Sequence, residues 1–346
     1  MVLAAGVGSR LDPLTSEVPK PLVPVGGVPV MEHLLNLLKE HGFGEVCANL
    51  HYLPEKIESY FEKHKLEGID LSFHREEKLS GDAGGVRACQ SFLKHGTFIV
   101  LSGDLLTDAN LTQIVKEHKS KGALATIAIR AVEDVTRFGV AVLKENGFIS
   151  GFQEKPKAEQ ALSNLISTGI YVLEPKVFDY IPETGEYGFG RQLFPELVKL
   201  GLPVLGVKID DYWSDVGTIE QYRLSNIDAL TGKVKVKLPG RKAGDSRHPL
   251  WLSPGARVEA EDSVKGALML GVNSLVEKGA KINGTVVVGD NCVIRAGAEV
   301  TDSVIWDDVQ IGSKASLKRC VIASGYVVAP SVKLIDAALV AQELPV

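Results

Sequence analysis

From residue 1 to about 228, short apolar runs alternate with stretches in which apolar residues recur three and four positions apart. The runs 45–50, 97–101, 125–129, 140–143 and 169–173 predict strands. The stretches 31–40, 55–63, 111–119 and 219–230 predict amphipathic helices. Asp108 or Asn110 can cap the third of these, and Gly122 stands just beyond its end. Such alternation predicts an α/β fold, a mostly parallel mixed sheet with helices on both faces. Ligands of such sheets bind outside the carboxyl ends of the strands, so the loops that follow strands are the ones to search.

Between Thr231 and Leu250 the alternation lapses into Gly, Lys, Arg and the prolines Pro239 and Pro249, the texture of a connector. A new period then begins. Leu252, Val258, Val264, Leu270, Val276, Ile282, Val288, Ile294 and Val300 fall six apart. The phase slips by one residue to Ile305, Ile311 and Leu317, slips again near Ala323, and continues at Val328, Leu334 and Val340. Positions four beyond the aliphatic ones are often small, as at Ala256, Ser274, Ala280, Cys292 and Ala298. Six matches neither the helical 3.6 nor the strand period of 2; it predicts a coil of short parallel strands with aliphatic side chains stacked inward. The expected organisation is therefore a domain over 1–228, a linker over 229–251 and a coil over 252–346.

At 346 residues the chain is long for a single core, consistent with two domains. Its net charge of -5 argues against general nucleic-acid affinity, so any phosphate binding must be local, at chosen cations. No apolar run approaches the roughly 18 residues of a membrane span, and no signal peptide opens the sequence. Cys47, Cys89, Cys292 and Cys320 have no metal or disulfide spacing, which makes a reduced cytoplasm the expected setting. Only Met1 to Ala4 precede the first glycine loop, fewer than a buried strand usually has. Either that strand is short or the sequence begins a few residues late.

That loop carries the strongest chemistry. Gly6-Val7-Gly8-Ser9-Arg10 follows a short apolar strand, and Pro19-Lys20-Pro21-Leu22 comes ten residues later. The glycines allow a tight bend with bare N–H groups turned to one point, and two cations follow: the parts needed to hold a polyphosphate. A dinucleotide fingerprint would want Gly at the position of Leu11 and has no use for the arginine. The bland alternative is a plain strand–helix turn with a solvated lysine. The segment resembles the signature of the sugar-1-phosphate nucleotidyltransferases, of the mannose-1-phosphate guanylyltransferase and glucose-1-phosphate thymidylyltransferase type. The resemblance extends over nearly the whole chain, since several relatives append the same hexad coil. It implies a Rossmann-like catalytic domain and a left-handed parallel β-helix of hexapeptide repeats.

The resemblance carries over residue by residue. It implies nucleotide contacts from Leu3, Ala5, Gly6, Gly8, Ser9, Arg10, Glu76 and Gly81, with Arg10 and Lys20 on the triphosphate. Asp104 after the strand 97–101, and Asp215 in Trp213-Ser214-Asp215-Val216-Gly217-Thr218, resemble the paired acids for Mg²⁺, a hard ion suited to carboxylates and phosphates. Taken singly, either aspartate could equally serve a turn or cap a helix, Asp215 that beginning near Ile219. Glu154 and Lys155 of Glu-Lys-Pro resemble the acid on the sugar hydroxyls and the lysine on the sugar phosphate. Gly139, Thr168 and Gly169 resemble the remaining sugar-binding turns, although Ser167 stands where the family usually has Asn.

Base choice falls to the loop 75–85. Pyrimidine-specific members tend to have Gln at the position of Glu76, whereas a carboxylate there can accept both N1 and N2 donors of guanine. Asp82 stands where Thr is usual, and Glu76 could also be a solvated turn residue. The favoured substrates are thus GTP and mannose 1-phosphate, with a thymidylyl- or uridylyltransferase acting on glucose 1-phosphate as the alternative. The family's reaction makes a nucleotide sugar and pyrophosphate. Two other classes stay in view. An acyltransferase in the coil would need a seam histidine, and none follows His248. A silent regulatory relative would have lost acids or cations that are all present here. The coil is expected to mediate assembly of a homo-oligomer.

Overall fold

The computed structural model describes residues 1–244 and 249–341; the last five positions of the expected coil lie outside the described residues. By internal contacts the chain forms two compact units, residues 1–7 with 34–215 and residues 8–33 with 216–346.

The first unit is built on a nine-stranded sheet. Strands Asp70–Arg75, Glu45–Leu50, Val2–Leu3 and Phe98–Ser102 lie side by side and run parallel. Their carboxyl ends therefore share one edge, from which Ala4, Glu76 and Gly103 emerge. Leu165–Leu173 then pairs antiparallel with Phe98–Ser102, with Ala125–Ala131 and with Gly139–Leu143. The sheet is mixed with as many antiparallel as parallel pairings, a correction to the mostly parallel expectation. The reason is that Leu165–Leu173 reverses direction at the centre. Its core draws on Val100, Ala125, Ile127, Tyr171, Phe189 and Phe194.

The expected strands and helices appear within a residue or two of their predicted ends, except that the strand predicted over 169–173 begins four residues earlier, at Leu165. Asp70–Arg75, Val204–Lys208 and the helices Asp82–Ala88 and Phe194–Lys199 were not among them. Asp70–Arg75 is an edge strand in which polar residues outnumber apolar ones, so it carries little apolar signal. Of the two candidate caps, Asn110 accepts the Gln113 N–H, whereas Asp108 accepts from Tyr212 N.

In the second unit, strands of the coil pair in parallel. Val264 faces Ile282 and Leu275 faces Val293, an offset of 18 residues or three hexads. From Val287 facing Val304 onward the offset is 17. One shortened side in each later turn explains the slips in phase. Val276, Ile282, Ile294, Val300, Ile311 and Leu317 are all buried, with Ala280, Cys292 and Ala298 beside them. The third slip comes at Leu334, so Leu339, not Val340, stacks on Ile322. The expected linker also needs correction. The helix Ile219–Thr231 extends into it, and Arg241–Ala243 and Leu250–Leu252 form an antiparallel pair on the first turn of the coil. Among the described residues, no helix is long and apolar enough to cross a membrane.

Candidate active site

In the first unit, several predicted residues meet around the carboxyl edge of the sheet. Gly103 donates its N–H to the Leu3 carbonyl at 2.8 Å. A Cβ on Gly103 would lie 2.5 Å from that oxygen, so only glycine lets Asp104 leave the strand here. The two-residue ladder Leu106–Thr107 with Trp213–Ser214 is antiparallel, Ser214 facing Leu106. Asp215 follows directly on Ser214, and Asp104 stands two residues before Leu106, so the two aspartates flank the paired ends of this ladder. The helix after Asp215 is capped by Thr218, which accepts the Gln221 N–H. Asp215 is thus released from capping. Its Oδ2 lies 3.0 Å from Arg137 Nη2, an arginine the sequence reading did not single out.

The turns expected to bind the sugar adjoin this place. Arg137 lies over the Phe138 ring, which meets Trp213 edge to face at 5.5 Å. Trp213 Nε1 donates to the Thr168 carbonyl at 2.7 Å, and Thr168 Oγ1 donates to Ala128 O. The register of Leu165–Leu173 against Ala125–Ala131 shifts between Ser167 and Tyr171. Gly169 sits in that bulge at φ +77°, with Ser102 Oγ 2.6 Å from where a Cβ would be. Gly139 pairs with Glu154 across two strands, and Lys155, at φ 48°, donates its N–H to Phe138 O. Lys155 Nζ and Glu154 Oε1 are 3.6 Å apart. Gly190, unremarked in the sequence, lies against Glu154: a Cβ there would sit 2.1 Å from Oε2.

The loop 76–85 is braced from within. Glu76 is buried, which rules out the solvated-turn alternative. Its Oε1 accepts from Asn49 Nδ2 at 2.6 Å, and its Oε2 accepts from Ser80 N at 3.1 Å and from Ser80 Oγ. Asn49 Oδ1 in turn accepts the Ala4 N–H, tying Glu76 to the start of the glycine loop. Leu3 is half-buried, Ala5 buried and Gly6 exposed. Gly81, at φ +78°, packs so closely on Tyr187 that a Cβ would meet its carbonyl at 2.5 Å.

Asp82 Oδ1 accepts from Ala83 N and from Phe189 N at 2.6 Å, joining this loop to the segment that contains Gly190. Burial pushes the Asp82 carboxyl up, against the pull of those two N–H groups. Burial likewise raises the Tyr171 hydroxyl, and the charges of Asp82, Glu154 and Asp104 raise it further. Three carboxylates therefore lie within electrostatic reach of one phenol. A sequence signal for Asn49 did exist: it is the one polar residue in the buried stretch Val46 to Leu50, next to the strand's carboxyl end.

The second unit holds Arg10 and Lys20. Gly8 takes φ 76° at the head of the short 3-10 turn Ser9–Leu11, and its carbonyl accepts from Leu11 N and Thr15 Oγ1. Ser9 and Arg10 are exposed. Lys20 is only 8% exposed and its Cβ lies 3.0 Å from where a Gly8 Cβ would be, so the solvated-lysine alternative does not hold.

An α/β sheet with a glycine loop, strand-end acids and an acid–lysine pair on adjoining turns defines an enzyme that works on phosphate esters. Family comparison is specific. Residues 1–231 match the nucleotidyl transferase family and residues 264–346 the GMPPB C-terminal domain. The chain is 39% identical over 306 residues to a UTP–glucose-1-phosphate uridylyltransferase of Synechocystis, covering 80% of this chain and 79% of that protein. It is 33% identical to a mannose-1-phosphate guanylyltransferase of Mycobacterium tuberculosis over 67% of this chain and 64% of that one. Among solved structures, a Bacillus anthracis protein assigned as a glucose-1-phosphate thymidylyltransferase is 26% identical, with TM-score 0.61 over 68% of this chain and 96% of that one. The chain belongs to the nucleotidyl transferase family and is a sugar-1-phosphate nucleotidyltransferase.

Proposed function

We propose that the chain transfers a nucleotidyl group from UTP to glucose 1-phosphate. A phosphate oxygen of the sugar ester attacks the α-phosphorus in line, one P–O bond forms, the bond to the β-phosphate bridge breaks, and pyrophosphate leaves. The reaction demands positioning and charge neutralisation. Arg10 and Lys20 neutralise the triphosphate and the leaving pyrophosphate. Lys155 takes the sugar phosphate, and Glu154 accepts from sugar hydroxyls, its carboxylate oriented by Gly139 and Gly190. Asp104 and Asp215 would hold Mg²⁺. Two carboxylates flanking the ends of one short ladder would suit an ion that completes its shell with phosphates and water. When bound, that ion supplies neutralisation of the phosphoryl oxygens.

The preference for a pyrimidine rests on Glu76. Both of its carboxylate oxygens already accept within the protein, so the N1 and N2 donors of guanine would have to compete with Asn49 and Ser80. The first relative named above, a uridylyltransferase, supports the same choice. The match of the coil to the GMPPB C-terminal domain favours the second reading, GTP with mannose 1-phosphate. Calorimetric titration with each product separates them. Tighter binding of UDP-glucose is expected; tighter binding of GDP-mannose would put the second reading first.

We also read the coil as left-handed, on its likeness to hexad coils with three hexads per turn, and as the site of assembly between copies of the chain in the cytoplasm. Val327 and Ile335, 65% and 64% exposed on its later turns, support assembly. The double variant Val327→Asp with Ile335→Asp should sediment as a smaller species than the unmodified chain. Equal coefficients would remove the coil from that role.

A further inference from the structure

The coil also reaches the segment that carries Lys20, through a buried chain of hydrogen bonds inside the second unit. Trp306, on the coil, donates from Nε1 to Tyr222 Oη at 2.8 Å. Tyr222 Oη donates to the Pro24 carbonyl at 2.6 Å. The two rings meet edge to face, and Tyr222 is completely buried. One helical turn on, Asn226 Oδ1 accepts the Gly26 N–H at 2.9 Å while its Nδ2 donates to Tyr222 O at 3.0 Å.

The turn that receives these bonds is the hairpin of Pro24–Val25 with Val28–Pro29. It has no room to shift. Gly26, at φ +55°, would place a Cβ 2.3 Å from Leu238 Cδ2, and Gly27, at φ +72°, would place one 3.0 Å from Met269 Cε on the coil. Between Pro24 and Lys20 the chain is short and stiff. Pro21 and Pro24 each fix a backbone angle, and Val23 N bonds back to Lys20 O at 3.1 Å. The hairpin cannot move without carrying Lys20 with it.

The geometry points to Trp306 as a positioning residue for Lys20: acting through Tyr222 and the Pro24 carbonyl, it makes the coil a working part of the nucleotide triphosphate subsite. This rests on the reading that Lys20 meets the triphosphate. It goes beyond assembly, because it gives each single copy of the coil a role in substrate binding.

Trp306→Phe removes the indole donor, and Tyr222→Phe removes the hydroxyl that both accepts and donates. Each is made in the full chain, singly and together. Each should raise KM for the triphosphate about fivefold, the factor one neutral hydrogen bond represents, with KM for the sugar 1-phosphate unchanged. The double variant should be no worse than the Tyr222 single, since both interrupt one chain. Independently of activity, the Val23 and Gly26 amides should exchange hydrogen faster in both variants. Equal rises in both KM values, or a lowered melting temperature with triphosphate KM and amide exchange unchanged, would overturn the inference. Should the unmodified chain transfer no nucleotide at all, the functional reading fails by itself. Amide exchange then decides the positioning claim: unchanged protection at Val23 and Gly26 in both variants overturns it.

Discussion

At the scale of residues, the site depends on positions where one atom more or fewer decides the outcome. Gly190 is one: its missing Cβ leaves room for Glu154 Oε2. Gly190→Ala should raise KM for the sugar 1-phosphate tenfold or more, by steady-state kinetics, and leave KM for the triphosphate nearly unchanged. Gly96→Ala is the control, since nothing lies within 4 Å of its Cβ position. Asp104→Asn removes one metal-directed charge and should lower kcat by about 10²–10³, the range seen when a group that stabilises the transition state is lost. Its melting temperature should stay within a few degrees, and undiminished pyrophosphate release would remove the metal assignment. Asp104, Asp215, Glu154 and Lys155 stand out in the sequence as candidates because each follows a strand or belongs to a recognisable short motif. Arg137 and Gly190 do not, and Asn49 shows only as a polar residue in a buried strand. Their roles arise from contacts between residues far apart in the chain, Arg137 with Asp215 and Asn49 with Ala4 and Glu76, and spacing does not report such contacts.

Elements add a second kind of consequence. On the helix Val30–Glu40, His33 is buried and its Nε2 donates to the carbonyl of Val25 in the hairpin at 2.9 Å. Burial holds its imidazolium form below the usual histidine range, only partly offset by that bond. The unfolded chain therefore binds this proton at a higher pH than the folded one. Stability is full above the ordinary histidine pKa and falls as pH drops below it, by up to about 1.4 kcal/mol per pH unit from this group. Thermal melts between pH 7.5 and 5 should show that loss, and His33→Gln should flatten it; an identical slope in the variant would assign the loss elsewhere.

In the coil, Ile294 is fully buried among stacked aliphatic residues. Ile294→Ala should cost about 2–5 kcal/mol in denaturant unfolding. The hexad period was legible because every inward position repeats one small environment. The third slip was missed because Leu339 and Val340 are both aliphatic, and only pairing with Ile322 distinguishes them. The edge strand Asp70–Arg75 was missed for the opposite reason, having little buried face to leave a pattern.

Across the whole molecule, chemistry and architecture are divided between the two units in a way the linear order hides. Residues 8–33 stand near the start of the chain yet belong to the unit that contains the coil, held there by Asn226, Tyr222, Leu238 and Met269. The alternation of strands and helices predicted a catalytic domain followed by a coil. It could not show that a short amino-terminal segment packs with the carboxyl-terminal half, because such packing is set by contacts two hundred residues apart. The class of reaction was legible all the same, since the glycine loop and strand-end acids keep their local form wherever they pack. The most direct test of the account is pyrophosphate release from UTP, TTP and GTP, each paired with glucose 1-phosphate or mannose 1-phosphate, with and without Mg²⁺. The account predicts fastest release from UTP with glucose 1-phosphate and none without a divalent ion; no release from any pair in the presence of Mg²⁺ would contradict it.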